Sequence, residues 1–287
     1  IKFLCKKLGN PQDEINCIQV CGTNGKGSTI SFLRSILKEA NIKCNIYTSP
    51  HVVRINERFV YNDEIINDDD LSDLLNEIEE INNGQPLTYF EALTAAFFHG
   101  CKKYKQNLVI AEFGLFGRGD AVNILKKNLC NIVTSCSEDH LDWLPKNDRT
   151  IERIIFEKTS SLLNSNIIVA KQNSNKIVEY IKKNISNNSA NKYYFKENYN
   201  FVLKENDFFY YEDKYGSLKI PKPNLNGQFQ IENASTAIAT LRILEDIKIN
   251  DQNIINGIQK AYNVARLEEI KTGKLKDLVK NNRLILD

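Results

Sequence analysis

The segment VCGTNGKGST at residues 20–29 concentrates glycines, a lysine and hydroxyl residues between a strand-like run, NCIQV, and a helical one, ISFLRSILKEA. Gly22, Gly25 and Gly27 free the backbone around Thr23 and Asn24 to curl so that successive N–H groups point inward. The start of the following helix adds partial positive charge. The group that such a loop suits is a phosphate chain. Lys26 can reach its outer phosphates, and Ser28 or Thr29 can offer a hydroxyl to a phosphate or its metal. A glycine-rich turn without a ligand is the plainer alternative, but the strand–loop–helix context favours the nucleotide. Val20 stands where the usual pattern has its first glycine, so the loop is a variant of the phosphate-binding type.

Other residues carry chemistry on weaker terms. Glu112 ends the apolar run NLVIAE, which would set its carboxylate at the carboxyl end of a strand as an oxygen ligand for magnesium. Taken alone, it reads equally as a solvated strand end. Ser49 precedes a proline, a turn signal in its own right. Phe90 could stack on a flat ring or pack in the core of an amphipathic helix. His140 is one of three histidines, and Lys158 on its own reads as a helix-surface lysine.

The elements needed to position these residues follow from hydrophobic patterning. Strand-like and helical runs alternate: the helix over 29–40, strand KCNIYTS, a polar loop to about 68, and helix DDLSDLLNEIEEI behind an aspartate cap. Helix TYFEALTAAFFHGCKKY, strand NLVIAEF, strand NLCNIVTSC, helix TIERIIFEKTSSLL and strand SNIIVAK come next. This order predicts an α/β fold with a doubly wound, mostly parallel sheet and the phosphate loop at the carboxyl end of its first strand. The Asn- and Lys-rich stretch KKNISNNSANKYYFKENYN reads as a surface insert. Residues 199–220 alternate as a small antiparallel sheet, and two helices, QIENASTAIATLRILEDI and NDQNIINGIQKAY, follow.

Composition bounds the rest. The chain has 287 residues, 42% hydrophobic and 26% charged, enough for a sizeable core in one large domain or two small ones. A net charge of +2 gives no general attraction to nucleic acid or membrane, and no apolar run approaches the ~20 residues that span a bilayer. Seven cysteines, without Cys-x-x-Cys spacing, read as reduced, mostly buried thiols of a cytoplasmic protein, with a mitochondrial form as the lesser alternative. Methionine is absent, and the last strand stops as it delivers Asp287, so the chain reads as part of a longer one.

Taken together, GTNGKGST, YTSPHVVRINERF, LTYFEALTAAFF, EFGLFGRGDAVN, EDHLDWL, FEK and GQFQIENASTA, in that order, resemble the folate branch of the Mur ligase superfamily, the dihydrofolate and folylpolyglutamate synthases. ARLEEI and the terminal LILD extend the resemblance to the end. It implies a P-loop ATP-binding central domain over residues 1–265, then a hinge and first strand of a C-terminal Rossmann-like domain over 266–287. It implies a monomeric ATP-dependent ligase that joins L-glutamate to dihydropteroate, folate or both through an acyl phosphate. The alternatives are another Mur-type amino-acid ligase and a nucleotide-binding relative without ligase activity.

Carried over residue by residue, the resemblance assigns Lys26 and Ser28 to the phosphates, and Ser49 and Glu112 to a first magnesium ion. His140 and a carbamylated Lys158 fall to a second ion, although the usual EKAGI is EKTSS here and extra residues separate the two. Gln230 and Asn233 match positions facing adenine and nearby phosphates. Arg266, with Ala265 in place of the usual glycine, matches the hinge arginine, and Asp287 a contact near the ATP ribose. His51, Arg54 and Arg58 would be available for substrate carboxylates and Phe90 for the pterin ring.

Overall fold

A computed structural model describes residues 1–204, 207–280 and 282–287. The chain forms two compact units, residues 1–26 with 41–198, and residues 27–40 with 199–287. Residues 266–287 lie inside the second unit, so contacts do not divide the chain at the expected 265/266 boundary.

The helices run in chain order as α1 (Lys2–Lys7), α2 (Lys26–Glu39), α3 (Asp68–Asn82), α4 (Tyr89–Gly100), α5 (Ile151–Thr159), α6 (Asn175–Asn184), α7 (Phe229–Ile243), α8 (Asp251–Lys260) and α9 (Lys274–Val279). The strands are β1 (Cys17–Cys21), β2 (Cys44–Tyr47), β3 (Phe59–Tyr61), β4 (Glu64–Ile65), β5 (Leu108–Glu112), β6 (Cys130–Val133), β7 (Asn166–Val169) and β8 (Lys192–Tyr194). After them come β9 (Tyr199–Val202), β10 (Phe208–Asp213), β11 (Gly216–Pro221), β12 (Glu268–Glu269) and β13 (Ile285–Leu286).

The first unit is built on an eight-stranded sheet of order β4-β3-β2-β5-β1-β6-β7-β8. Strands β2, β5, β1, β6, β7 and β8 pair in parallel, while β3 and β4 form an antiparallel edge. β1 and β5 are buried along their whole length, as expected of sheet strands covered on both faces. The aromatic core beside β2 is continuous: Tyr47 lies 5.7 Å from Phe59 and 5.0 Å from Phe97, ring centre to ring centre. All seven cysteines are free and buried, and burial pushes the Cys21 thiol up to about 12.

Local sequence explains the helix starts. Thr88 and Glu91 form a reciprocal capping box at α4. At α3 the cap is Asn67, whose side chain accepts from the Asp70 amide, and the aspartates 68–70 occupy the first turn instead of capping it. Two expectations need correction. The polar loop before α3 contains the β3–β4 hairpin, and the Asn/Lys-rich stretch supplies the end of α6 and the edge strand β8 instead of an insert. Tyr194, in that strand, is buried because the edge still packs on the core.

The second unit holds α2, the three-stranded antiparallel sheet β11-β10-β9, α7 and α8, with the β12–β13 ladder. A Cβ on Gly257 of α8 would stand 2.5 Å from the Cα of Ile36, so only glycine lets α8 lie against α2 this closely. In the final strand, β13, Ile285 and Leu286 are exposed.

Candidate functional site

In the first unit the register decides which side chains meet. β1 lies between β5 and β6, with Val20 opposite both Glu112 and Ile132. The carboxyl ends of three parallel strands therefore open beside one another, and the loop Gly22–Lys26 leaves from the middle one. Gly22 has φ +135°, and a Cβ there would stand 2.0 Å from Thr134 Oγ1. Across from it, the Ser135 carbonyl accepts from the Thr23 and Asn24 amides at 2.9 and 3.0 Å. Ser137 bonds both side chains of that pair, its carbonyl accepting from Thr23 Oγ1 at 3.2 Å and its Oγ from Asn24 Nδ2 at 3.0 Å. The loop is thus held in shape from β6.

Lys26 Nζ donates to the Gly22 and Thr23 carbonyls at 3.2 and 3.1 Å and lies 3.8 Å from Glu112 Oε1. Glu112 is only 4% exposed, which removes the reading of a solvated strand end. Its Oε2 accepts from the Ser49 amide at 3.1 Å, since β2 pairs with β5 and ends next to it. Ser49 Oγ is buried and has no hydrogen-bond partner among the described residues. A buried hydroxyl without a partner, beside a buried carboxylate, is a pair of hard oxygen donors of the kind magnesium takes.

Lys158 is not a surface lysine. It is 2% exposed, and Nζ donates to the carbonyls of Gly22 at 3.1 Å and Leu115 at 2.8 Å. Burial, reinforced by the nearby Lys26 charge, holds its pKa below the usual lysine range. His140 sits at φ +55° with its ring on Asp139. Phe116 connects the two: its ring centre is 6.3 Å from that of His140 and 5.4 Å from Lys158 Nζ. Among the described residues, no three His, Cys, Asp or Glu side chains come together as a ready metal site.

The loop over residues 49–58 is organised by Glu57, which sequence reasoning did not single out. Its carboxylate accepts from the amides of Val52, Val53 and Arg54 at 2.7, 3.0 and 2.8 Å. Burial opposes its ionisation, but these amides prevail and its pKa is lowered. The available signal was its place three residues after Arg54 at the start of a short 3-10 turn. Arg58 Nε donates to His51 Nδ1 at 2.9 Å, and Arg54 is paired with Asp68. This Arg54–Asp68 pair lies at the surface, with both side chains exposed. Phe90 is half-buried and packs against the core: it lies 5.9 Å from Tyr47, and a Cβ on Gly114 would meet its ring at 2.6 Å.

Asp120 was also missed. Its buried carboxylate accepts from the Gly114, Leu115 and Val122 amides at 2.9, 3.1 and 2.9 Å, which shapes the loop that receives Lys158. Burial raises its pKa from 3.8 to about 6 despite those bonds. A Gly-Asp pair before an apolar run was its only local signal.

In the second unit, Ser28 and Thr29 lie buried in the first turn of α2, and Thr29 Oγ1 has no partner among the described residues. Gln230 is fully buried, donating from Nε2 to Ser28 Oγ at 3.3 Å and accepting from Asn233 Nδ2 at 3.0 Å. The two amides thus support the hydroxyl of that turn. Arg266 lies beside a cleft of about 200 Å³, and Asp287 Oδ1 accepts from the Leu267 amide at 3.2 Å.

Residues 20–241 match the family described as Mur ligase, middle domain. The dihydrofolate synthase/folylpolyglutamate synthase of Bacillus subtilis is 31% identical over 94% of this chain and 65% of its own length. That of Haemophilus influenzae is 31% identical over 97% of this chain and 61% of its own length. The chain thus spans just under two thirds of these two relatives. A solved structure of Escherichia coli FolC in complex with DHPP and ADP is 30% identical, with a TM-score of 0.85 over 99% of this chain and 64% of that one. A Thermotoga maritima folylpolyglutamate synthase structure is 26% identical, with a TM-score of 0.85 over 100% of this chain and 66% of that one. With the phosphate loop, Lys26 and Lys158 beside it and the strands from the last residues of β1 to β11 falling inside the matched span, the chain belongs to the Mur ligase family.

Proposed function

We propose that this protein binds ATP at the loop Gly22–Lys26 and uses it to join L-glutamate to a pterin-bearing acid, dihydropteroate or folate. The observation that carries this reading is the gathering of half-buried Lys26, buried Glu112 and Lys158, and the unpartnered Ser49 hydroxyl around one glycine loop. A buried Lys158 ammonium with the half-buried Lys26 ammonium beside it, at a loop of strand-end carbonyls and amides, is costly unless an anion is to be received. The relatives, dihydrofolate synthase/folylpolyglutamate synthases, suggest the acceptor class, and the DHPP and ADP bound by the Escherichia coli protein suit it.

In the proposed reaction a substrate carboxylate oxygen attacks the γ-phosphorus of ATP and ADP leaves, giving an acyl phosphate. The glutamate amine then attacks the acyl carbon, phosphate leaves with the bond electrons, and the amine proton is lost as the amide forms. Lys26 neutralises charge developing on the transferred phosphoryl group, moving from the carbonyls of Gly22 and Thr23 onto phosphate oxygens. Lys158, with its lowered pKa, is inclined towards the neutral amine that reacts with carbon dioxide to give a carbamate. Ser49 and Glu112 would hold one magnesium ion, and His140 with carbamylated Lys158 a second. Bound there, magnesium would offset negative charge on the phosphate oxygens. In the second unit, Gln230 and Asn233 orient Ser28, and Arg266 and Asp287 belong to residues 266–287, read as the hinge and first strand of a glutamate-ligase C-terminal domain.

The test is glutamate-dependent ADP release by the intact protein, with dihydropteroate and with tetrahydrofolate as separate acceptors. Release with either acceptor supports the reading and tells the two activities apart. ATP binding without release with either acceptor would leave a nucleotide-binding protein and refute the ligase.

A further inference from the structure

Within the second unit, residues 262–269 form a turn tied down from several sides. Glu268 accepts from the Tyr262 hydroxyl at 2.7 Å and from the Ala265 amide at 3.0 Å. Asn226 Nδ2 donates to the Leu267 carbonyl at 2.8 Å, and the Leu267 amide reaches Asp287 Oδ1 at 3.2 Å. Ala265 and Leu267 both adopt left-handed backbone, φ +50° and +51°, on either side of Arg266. Non-glycine residues take up that conformation at a cost, and adjacent instances mark a turn whose shape is imposed by its surroundings.

One polar atom of this turn is left over. Asn263 Nδ2 is buried and has no hydrogen-bond partner among the described residues. A buried amide donor without an acceptor is unfavourable and rare, so its acceptor is expected from outside the chain. It stands 3.5 Å from where a Cβ on Gly27 would be, beside the first turn of α2. The first amides of that 14-residue helix have no intrahelical acceptor. Asn263 and Arg266 line the same cleft of about 200 Å³. An unpaired donor, a guanidinium and the opening amides of a helix all call for one kind of ligand, an anion rich in acceptor oxygens.

We propose that Asn263 is a nucleotide-contact residue whose Nδ2 donates to a phosphate oxygen of the nucleotide at the first turn of α2. This rests on the ATP reading above and adds to it a residue that the sequence did not single out. Leucine in its place keeps the forked four-atom outline, with bulkier methyl tips, and removes the donor. Aspartate keeps the shape and puts a negative charge where the phosphate would be.

The test is calorimetric binding of ADP and of inorganic tripolyphosphate to the intact protein and to its Asn263→Leu and Asn263→Asp variants, with thermal melts alongside. Expected is a loss of about tenfold in affinity for both ligands in Asn263→Leu and a larger loss in Asn263→Asp, deepest at low salt. Melting temperatures should stay within about 3 °C of the parent, as befits a change that breaks no internal bond. Should Asn263→Leu fail to fold, the isosteric Asn263→Asp carries the test. Wild-type ADP affinity retained by the folded variants would overturn the role of Asn263 and leave the ATP reading intact. Weaker ADP with unchanged tripolyphosphate would overturn the phosphate contact in favour of base or ribose. A parent protein that binds neither ligand would overturn both readings together.

Discussion

Replacing Lys158 by methionine separates its structural role from its chemical one. The side chain keeps nearly the same length, so no cavity opens, but the Gly22 and Leu115 carbonyls lose donors at 3.1 and 2.8 Å. Leaving the Leu115 carbonyl unpaired costs about 1–3 kcal/mol, while the Gly22 carbonyl keeps Lys26 Nζ as a donor at 3.2 Å. Against this, the folded state no longer desolvates an ammonium group whose pKa is already lowered by burial and by Lys26, a relief of several kcal/mol. The two effects nearly offset each other, and stability should change by no more than about 2 kcal/mol in a denaturant titration. Activity has no such compensation. The carbamate cannot form and Gly22 is no longer held from below, so glutamate-dependent ADP release should fall by at least ~100-fold, about 2.7 kcal/mol of barrier. Carbon-13 bicarbonate supplies a second readout: a carbamate resonance in the parent protein and none in Lys158→Met. A folded variant that keeps more than a tenth of parental turnover, or a parent without the resonance, would refute the assignment of Lys158.

Lys26→Ala should bring turnover below a tenth of the parental rate, ~1.4 kcal/mol of barrier, because on the proposed reading the moving phosphoryl group loses a cation held at the loop; a steady-state assay at saturating ATP decides it. Asp120 gives a pH test. Its folded pKa of about 6 lies above the ordinary 3.8, so the folded state takes up the proton first. Its penalty is therefore present in full above pH 6 and fades as pH falls towards 4. That gap corresponds to ~3 kcal/mol at 1.36 kcal/mol per pH unit, an upper value for the change. The stability difference between parent and Asp120→Asn should shift in the parent's favour between pH 7.5 and pH 4.5. A difference that does not vary with pH would show that Asp120 titrates normally.

What was legible in the sequence is what short segments decide by themselves. The phosphate loop could be read because glycine positions, a strand before and a helix after act within ten residues, and the capping box of α4 for the same reason. The alternation of strands and helices fixed the parallel sheet, since buried strands separated by helices leave little other choice. Tertiary structure decided what depends on distant pairing. Glu112, Ser49 and Lys26 meet only because β5 lies between β2 and β1 in one particular register. Lys158 looks like any helix lysine until the loop shaped by Asp120 turns the Leu115 carbonyl towards it. The Asn- and Lys-rich stretch was misread because an edge strand needs only one buried face, which a polar sequence can still supply through Tyr194. Asn263, Glu57 and Asp120 stayed hidden for a common reason: each acts through backbone amides or an unpaired donor, and no residue pattern records where the backbone of another segment will point.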